Sequence, residues 1–249
     1  MRGAKVGGCI CYRNAVGRVV DAAPLNPHQV TRDFEAALCH FTGARYAVTT
    51  TSCTQAILMA LAWCLQYGFE DYITAYGGTF LQRDPSGEFP AQPWYKRIEM
   101  PALSYVGVPM SIKNAGGHPV FRDENWQGEY RLSPSTVWDS ARRFTSGMYR
   151  PGQMQCVSFH VSKILGDTQG GAILHDNPEA DAWLRRARFD GRTEGADPKT
   201  DQVQWPSWHA YMSPDVAARL LWKLSVLPKH NADLPRSDYP RLDLLECFK

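Results

Sequence analysis

Three side chains, met in a fixed order, could do chemistry together. Asp139 ends the short apolar run Thr136-Val137-Trp138. Lys163 closes the segment Ser158-Phe159-His160-Val161-Ser162-Lys163, and Gly170-Gly171-Ala172-Ile173 follows it. A lysine amine can form a Schiff base with an aldehyde. A carboxylate can pair with a protonated ring nitrogen, and a serine hydroxyl can bind phosphate oxygens. Pyridoxal 5'-phosphate presents all three of these groups, and its protonated ring accepts electrons. Taken singly, a lysine after a serine is most often a solvated surface residue. The ordered set points to an enzyme acting on an amine or amino acid.

These residues need elements that converge. Asn26-Pro27 reads as a cap with proline at the first helical position, and Val30, Phe34, Leu38 and Phe41 then recur at helical spacing until Gly43. Residues 46–50 are strand-like. The small polar turn Thr51-Ser52-Cys53-Thr54 follows, and then a strongly apolar helical pattern over 55–65. A strand, a polar turn and a helix N-terminus make an anion site, because free N–H groups and the helix dipole both favour phosphate. The same turn also fits an ordinary N-cap at Ser52 or Thr54.

Further along, strand-like runs at 98–101, 119–122, 136–138, 155–159 and 172–174 are interspersed with helical patterns. These helices are expected at 106–115, from Asn177-Pro178 to about residue 189, and from Ser213-Pro214-Asp215 to about residue 227. Such alternation predicts an α/β fold with a mainly parallel central sheet. Sites in such sheets gather at the carboxyl ends of strands, where Asp139 and Ser158 fall.

Composition bounds the remaining possibilities. The chain has 249 residues, 44% of them hydrophobic, enough for one large domain with a small appendage. A net charge of +2 gives no global argument for nucleic-acid or membrane binding. The seven cysteines are scattered, which reads as a reduced, cytoplasmic chain. Cys9 and Cys11 lack a second pair, so no metal site is expected. The basic N-terminus lacks a signal-peptide core, and the apolar run at 56–65 is too short to cross a bilayer. Segment 68–97, with Gly77-Gly78, Pro85-Ser86-Gly87, Pro90 and Pro93, reads as an inserted hairpin or loop. Residues 191–207 read as a long loop. The expected organisation is an N-terminal arm (1–25), an α/β domain binding the cofactor (26–227) and an irregular tail (228–249).

In order along the chain, these pieces resemble the DegT/DnrJ/EryC1/StrS aminotransferase family, of the aspartate-aminotransferase fold type (fold type I). Gly43-Ala44-Arg45-Tyr46-Ala47-Val48 is similar to the family's first strand. Thr51-Ser52-Cys53-Thr54-Gln55-Ala56 is similar to its phosphate turn, with Cys53 where glycine is usual. Pro101-Ala102-Leu103-Ser104-Tyr105-Val106 resembles the strand whose aromatic stacks on the cofactor, a role that falls on Tyr105. Asp139-Ser140-Ala141 matches the acid and its turn, Ser158 to Lys163 the Schiff-base segment, and Tyr211-Met212-Ser213 the start of the late helix. The resemblance implies that Lys163 and Asp139 are catalytic. Ser52, Cys53, Thr54, Tyr105, Asp139, Arg142, Ser158, Lys163 and His209 would bind the cofactor.

Three departures stand out. Arg142 replaces the usual glutamine or histidine. His209 stands where the family has an asparagine reaching across a homodimer. The chain also ends soon after the late helix, so the C-terminal small domain is expected to be largely absent.

The implied activity is amino-group transfer from a small-molecule donor to a keto sugar or similar carbonyl. The alternative is a decarboxylase or related lyase acting on an amino acid attached to a bulky substrate such as a nucleotide or phage DNA. A cofactor-binding regulator without turnover is the non-enzymatic option. Two arginine clusters bear on the nucleic-acid possibility: Arg142, Arg143 and Arg150, and Arg185, Arg186, Arg188 and Arg192. Trp205 and Trp208 lie nearby. Arginines with aromatics can hold phosphates and bases, but they also fit a solvated helix face with tryptophans packed in a contact.

Overall fold

The computed structural model describes residues 5–6, 9–13, 19–22, 28–66, 96–203, 205–236 and 238–248. The cap expected at Asn26-Pro27 and nearly all of the inserted segment 68–97 lie outside these residues.

Within the expected N-terminal arm, β1 (Lys5–Val6), β2 (Cys9–Arg13) and β3 (Val19–Ala22) form a small antiparallel sheet in that order. Helix α1 (Gln29–Thr42) follows. It stops at Gly43, whose positive φ of 82° lets its N–H reach Cys39 O. Strand β4 (Tyr46–Thr50) then leads into α2 (Cys53–Gln66). Next come β5 (Arg97–Pro101), α3 (Gly107–Asn114), β6 (His118–Arg122), the two-residue β7 (Tyr130–Arg131) and β8 (Val137–Asp139). The remainder is β9 (Met154–Ser158), β10 (Gly171–His175), α4 (Pro178–Ala187) and α5 (Pro214–Val226). Asn177 caps α4 as its sequence implies, its side chain accepting from the N–H groups of Glu179 and Ala180.

The central sheet has the order β4-β10-β9-β8-β7, and β5 pairs with β6 in a separate parallel ribbon. The sheet is mixed where a mainly parallel one was expected: β8 and β9 are parallel, whereas β10 is antiparallel to both its neighbours and β7 to β8. The reason is the connection. A parallel pair needs a long crossover, usually helical. Residues 140–153 cross over, without a helix, to bring β9 in parallel to β8, whereas residues 159–170 turn the chain back so that β10 runs against β9.

Side chains alternate across this sheet and give it two apolar faces. Val48, Cys156 and Ile173 pack with α2, α3 and α4 on one face. Ala47, Val157, Ala172 and Leu174 pack with α1 and α5 on the other. Helices therefore cover both faces, which leaves the strand ends as the place for a site. No helix among the described residues is long and apolar enough to cross a membrane.

The tail is not free of the fold. The Leu242 N–H bonds to Ala102 O, Leu234 N–H to Arg142 O and Gly128 N–H to Leu234 O. Leu242 is buried, and Asp233 pairs with Arg143. The tail thus runs beside the ends of β5 and β8, where the sequence left it irregular.

Candidate active site

A cavity of about 380 Å³ opens where β8, β9, β10 and the start of α2 meet. Its walls include Ser52, Cys53 and Thr54 from the β4–α2 turn, Tyr105, Asp139, and Ser158 with Lys163. Seven of the nine expected site residues therefore share one space, although they come from four separate stretches of sequence.

The polar turn lies at the mouth of α2. Ser52 accepts from the Gln55 N–H at 3.2 Å, and the first helical bond runs from Ala56 N–H to Ser52 O. The N–H groups of Cys53 and Thr54 precede that bond, at the positive end of the helix. Ser52 thus serves both as the N-cap and as a wall of the cavity. Close packing holds the turn against β10: a Cβ on Gly171 would lie 2.4 Å from Cys53 N. This distance explains why β10 begins with a glycine. Cys53 is buried, its Sγ 3.6 Å from Cys156 O, and burial pushes its thiol well above the ordinary range.

Asp139 is buried at the carboxyl end of β8. Its Oδ2 accepts from Tyr130 Oη at 2.7 Å and its Oδ1 from the Ala141 N–H at 3.0 Å. Burial pushes its carboxyl up. The Tyr130 and Ala141 hydrogen bonds, together with the fields of Lys163 and Arg142, offset only part of that effect. Lys163 is moved the other way: burial, then the nearby Arg142 charge, hold its ammonium below the ordinary value against the pull of Asp139 and Cys53.

The loop carrying Lys163 is fastened at both ends. Phe159 N–H bonds to Gly170 O, and Asp167 N–H to Phe159 O. The Asp167 carboxylate then takes Lys223 Nζ at 2.8 Å and Arg219 Nε at 2.9 Å, both from α5.

Tyr105 is half exposed, and its ring lies 5.9 Å from that of Tyr239 in the tail, which also lines the cavity. His160, Ser162 and Gln169 line it too. Sequence reasoning did not find Tyr239, Tyr130 or Gln169. Tyr239 arrives from the tail and Tyr130 from β7 across the ladder, and Gln169 follows Lys163 in the same loop.

Two expected residues stand outside the cavity walls. Arg142 acts on Asp139 and Lys163 through space rather than from the lining. His209 is exposed, with Nδ1 2.7 Å from Asp190 Oδ2. The other arginines are occupied elsewhere. Arg143 and Arg150 both hold buried Glu129. Arg185 and Arg188 hold buried Glu35. Arg186 lies over Trp205, and Trp205 stacks on Trp183 at 6.2 Å with Trp208 against the same ring. These aromatics pack against the core beside α4.

Helices on both faces of a mixed sheet, with Lys163 and the buried Asp139 near its strand ends, make a fold that solved aminotransferases share. Solved structures agree over 80% of this chain. PseC of Helicobacter pylori, an aminotransferase involved in the biosynthesis of pseudoaminic acid, superposes with a TM-score of 0.57 at 18% identity, with 58% of its own chain covered. AtS13 of Actinomadura melliaura gives 0.62 at 16% identity, with 60% of its chain covered. Spr1654 of Streptococcus pneumoniae in its PMP form gives 0.54 at 17% identity, with 59% covered. The chain thus spans under two thirds of the length of these neighbours. The model of the DegT/DnrJ/EryC1/StrS aminotransferase family matches residues 13–81, so the resemblance read from the sequence stands. Among curated protein sequences, none matches the chain.

Proposed function

We propose that this chain is a pyridoxal-phosphate-dependent enzyme that transfers an amino group from a small-molecule donor to a carbonyl acceptor, a keto sugar by resemblance. One observation carries the reading. Asp139 is a buried acid whose charge is only partly compensated, and it faces the same cavity as a lysine whose ammonium is disfavoured. A structural acid would be expected to have its cation already in place. A pyridinium N–H supplies what Asp139 lacks, so the residues fit the cofactor.

In this reading Asp139 pairs with the ring nitrogen, and Ser52, Thr54, Ser158 and the first N–H groups of α2 bind the phosphate. Tyr105 bears on the ring face, and Cys53 closes the floor of the turn. When bound, the cofactor supplies an aldehyde for amines and a ring that accepts electrons. Lys163 supplies the attachment point. Because burial and Arg142 favour its neutral amine, Nζ can also take up a proton and return it. Tyr239 and Tyr105 limit access of water from the open side.

The reading includes a homodimer. His209, outside its own cavity, would reach the phosphate of the neighbouring copy. Sedimentation equilibrium that finds a fully active monomer would remove this part. Four of the seven clustered arginines, Arg143, Arg150, Arg185 and Arg188, are spent on buried acids, so these four lend a nucleic-acid substrate no support.

The test is to load the protein with pyridoxal phosphate, reduce it with borohydride and map the modified peptide. Label on Lys163, and pyridoxamine phosphate released with some amino acid of a donor panel, are the expected results. Label elsewhere, or none, overturns the proposal.

A further inference from the structure

The acid at the end of β8 does not stand alone. Tyr130 on β7 donates to Asp139 Oδ2 at 2.7 Å, and Ser104 Oγ lies within hydrogen-bond distance of the same phenol oxygen. All three residues are buried. A phenol has one proton. If Tyr130 gives it to the carboxylate, Ser104 must be the donor to Tyr130, so the chain runs from Ser104 to Tyr130 to Asp139. Packing leaves the phenol little freedom. The Trp126 ring meets Tyr130 edge-on at 4.7 Å, and Trp126 Nε1 is anchored on Leu103 O at 2.9 Å. β7 pairs Tyr130 directly with Asp139 across the ladder, so the two side chains share one face of the sheet by register.

We propose that Tyr130, backed by Ser104, is a positioning residue that keeps Asp139 a carboxylate so that the proton shared with the cofactor ring stays on the nitrogen. The inference rests on the cofactor reading above and deepens it. The other titratable or charged groups facing Asp139 are Cys53 from α2, Cys156 from β9, Lys163 from the loop after β9, and Arg142 from the turn after β8. Burial keeps both cysteines as thiols, and burial with the neighbouring Asp139 keeps the Tyr130 phenol protonated. Tyr130 is therefore a permanent donor. Without it, Asp139 would be a stronger base than before, and the shared proton would shift from nitrogen toward oxygen. The ring is then a poorer electron acceptor even though every residue touching it is unchanged.

The experiment is nitrogen-15 NMR of the protein loaded with ring-labelled pyridoxal phosphate at pH 7, comparing the unsubstituted chain with Tyr130→Phe and Ser104→Ala. Phenylalanine keeps the packing against Trp126 but leaves buried Asp139 and Ser104 without the phenol, so a folded variant with a somewhat lowered Tm is expected. The ring-nitrogen signal should move toward that of a neutral pyridine in Tyr130→Phe, and by less in the same direction in Ser104→Ala. Cofactor affinity should fall about tenfold or more in the tyrosine variant, as for loss of a hydrogen bond to a charged group. An unshifted signal in Tyr130→Phe overturns the inference while leaving the cofactor reading intact. If that variant does not fold, an unshifted signal in Ser104→Ala overturns it instead. Failure of the unsubstituted protein to bind the cofactor overturns the parent reading, and this one with it.

Discussion

Glu35 and Asp139 are buried to nearly the same degree, 4% and 5% exposed, yet they differ in how their charge is met. Burial alone would push Glu35 up. Arg188 and Arg185, with the Thr49 N–H at 2.9 Å, outweigh it and hold the carboxyl below its ordinary value. Burial also pushes Asp139 up, and there it prevails. One acid ties α1 to α4 and β4 through arginines that belong to the fold. The other is left with a phenol, a backbone N–H and a cavity. Burial by itself thus says little about role. What separates a structural acid from a candidate functional one is whether the fold supplies the cation.

Removing either side of this contrast should have different consequences. The largest effect is expected for Lys163→Ala, which should abolish cofactor attachment and lower turnover by on the order of 10²–10⁴-fold, checked by borohydride labelling and steady-state kinetics. Glu35→Gln strands two arginines in the interior. It should destabilise the fold by roughly 3–5 kcal/mol in urea unfolding, while the folded fraction still binds cofactor. Asp139→Asn should do the reverse, with cofactor binding impaired and the Tm of the cofactor-free protein raised by on the order of a few °C. A fall in its Tm would break the comparison. Tyr239→Ala should cost about 0.5–1.5 kcal/mol of cofactor or substrate affinity and little stability, while Tyr239→Phe stays near the parent.

The same contrast has a pH signature. Glu35 has a lowered folded value, so its stabilisation is present above the ordinary carboxylate range and is lost as pH falls through that folded value. Asp139 has a raised folded value, so it costs stability increasingly as pH rises from the unfolded value through the folded one. Comparing melting curves of Glu35→Gln and Asp139→Asn with the parent from about pH 2 to 8 separates the two. The Glu35→Gln deficit should shrink toward acid, and the Asp139→Asn gain should shrink as well.

Much of the architecture was legible in local patterns. The Tyr46–Thr50 strand, the Gly43 stop and the Asn177-Pro178 start depend on neighbours within a turn or two, and they fall where the sequence puts them. Lys163, Asp139, Ser52, Cys53, Thr54, Tyr105 and Ser158 were found by type and order, and they line one cavity. Arg143, Arg150, Arg185 and Arg188 looked like a basic surface. Only the fold reveals Glu129 and Glu35 as their partners, across sequence separations that no local pattern spans.

The sequence by itself determined the alternation of strands and helices, the residue types of the site and their order, because propensity, capping and periodicity act over a few residues. Tertiary structure decided that β10 runs against its neighbours, that Tyr130 and Tyr239 join the site, and which buried acid is neutralised. Strand direction, register and charge pairing are set by contacts between distant segments, and their energies exist only once burial has removed the water between them.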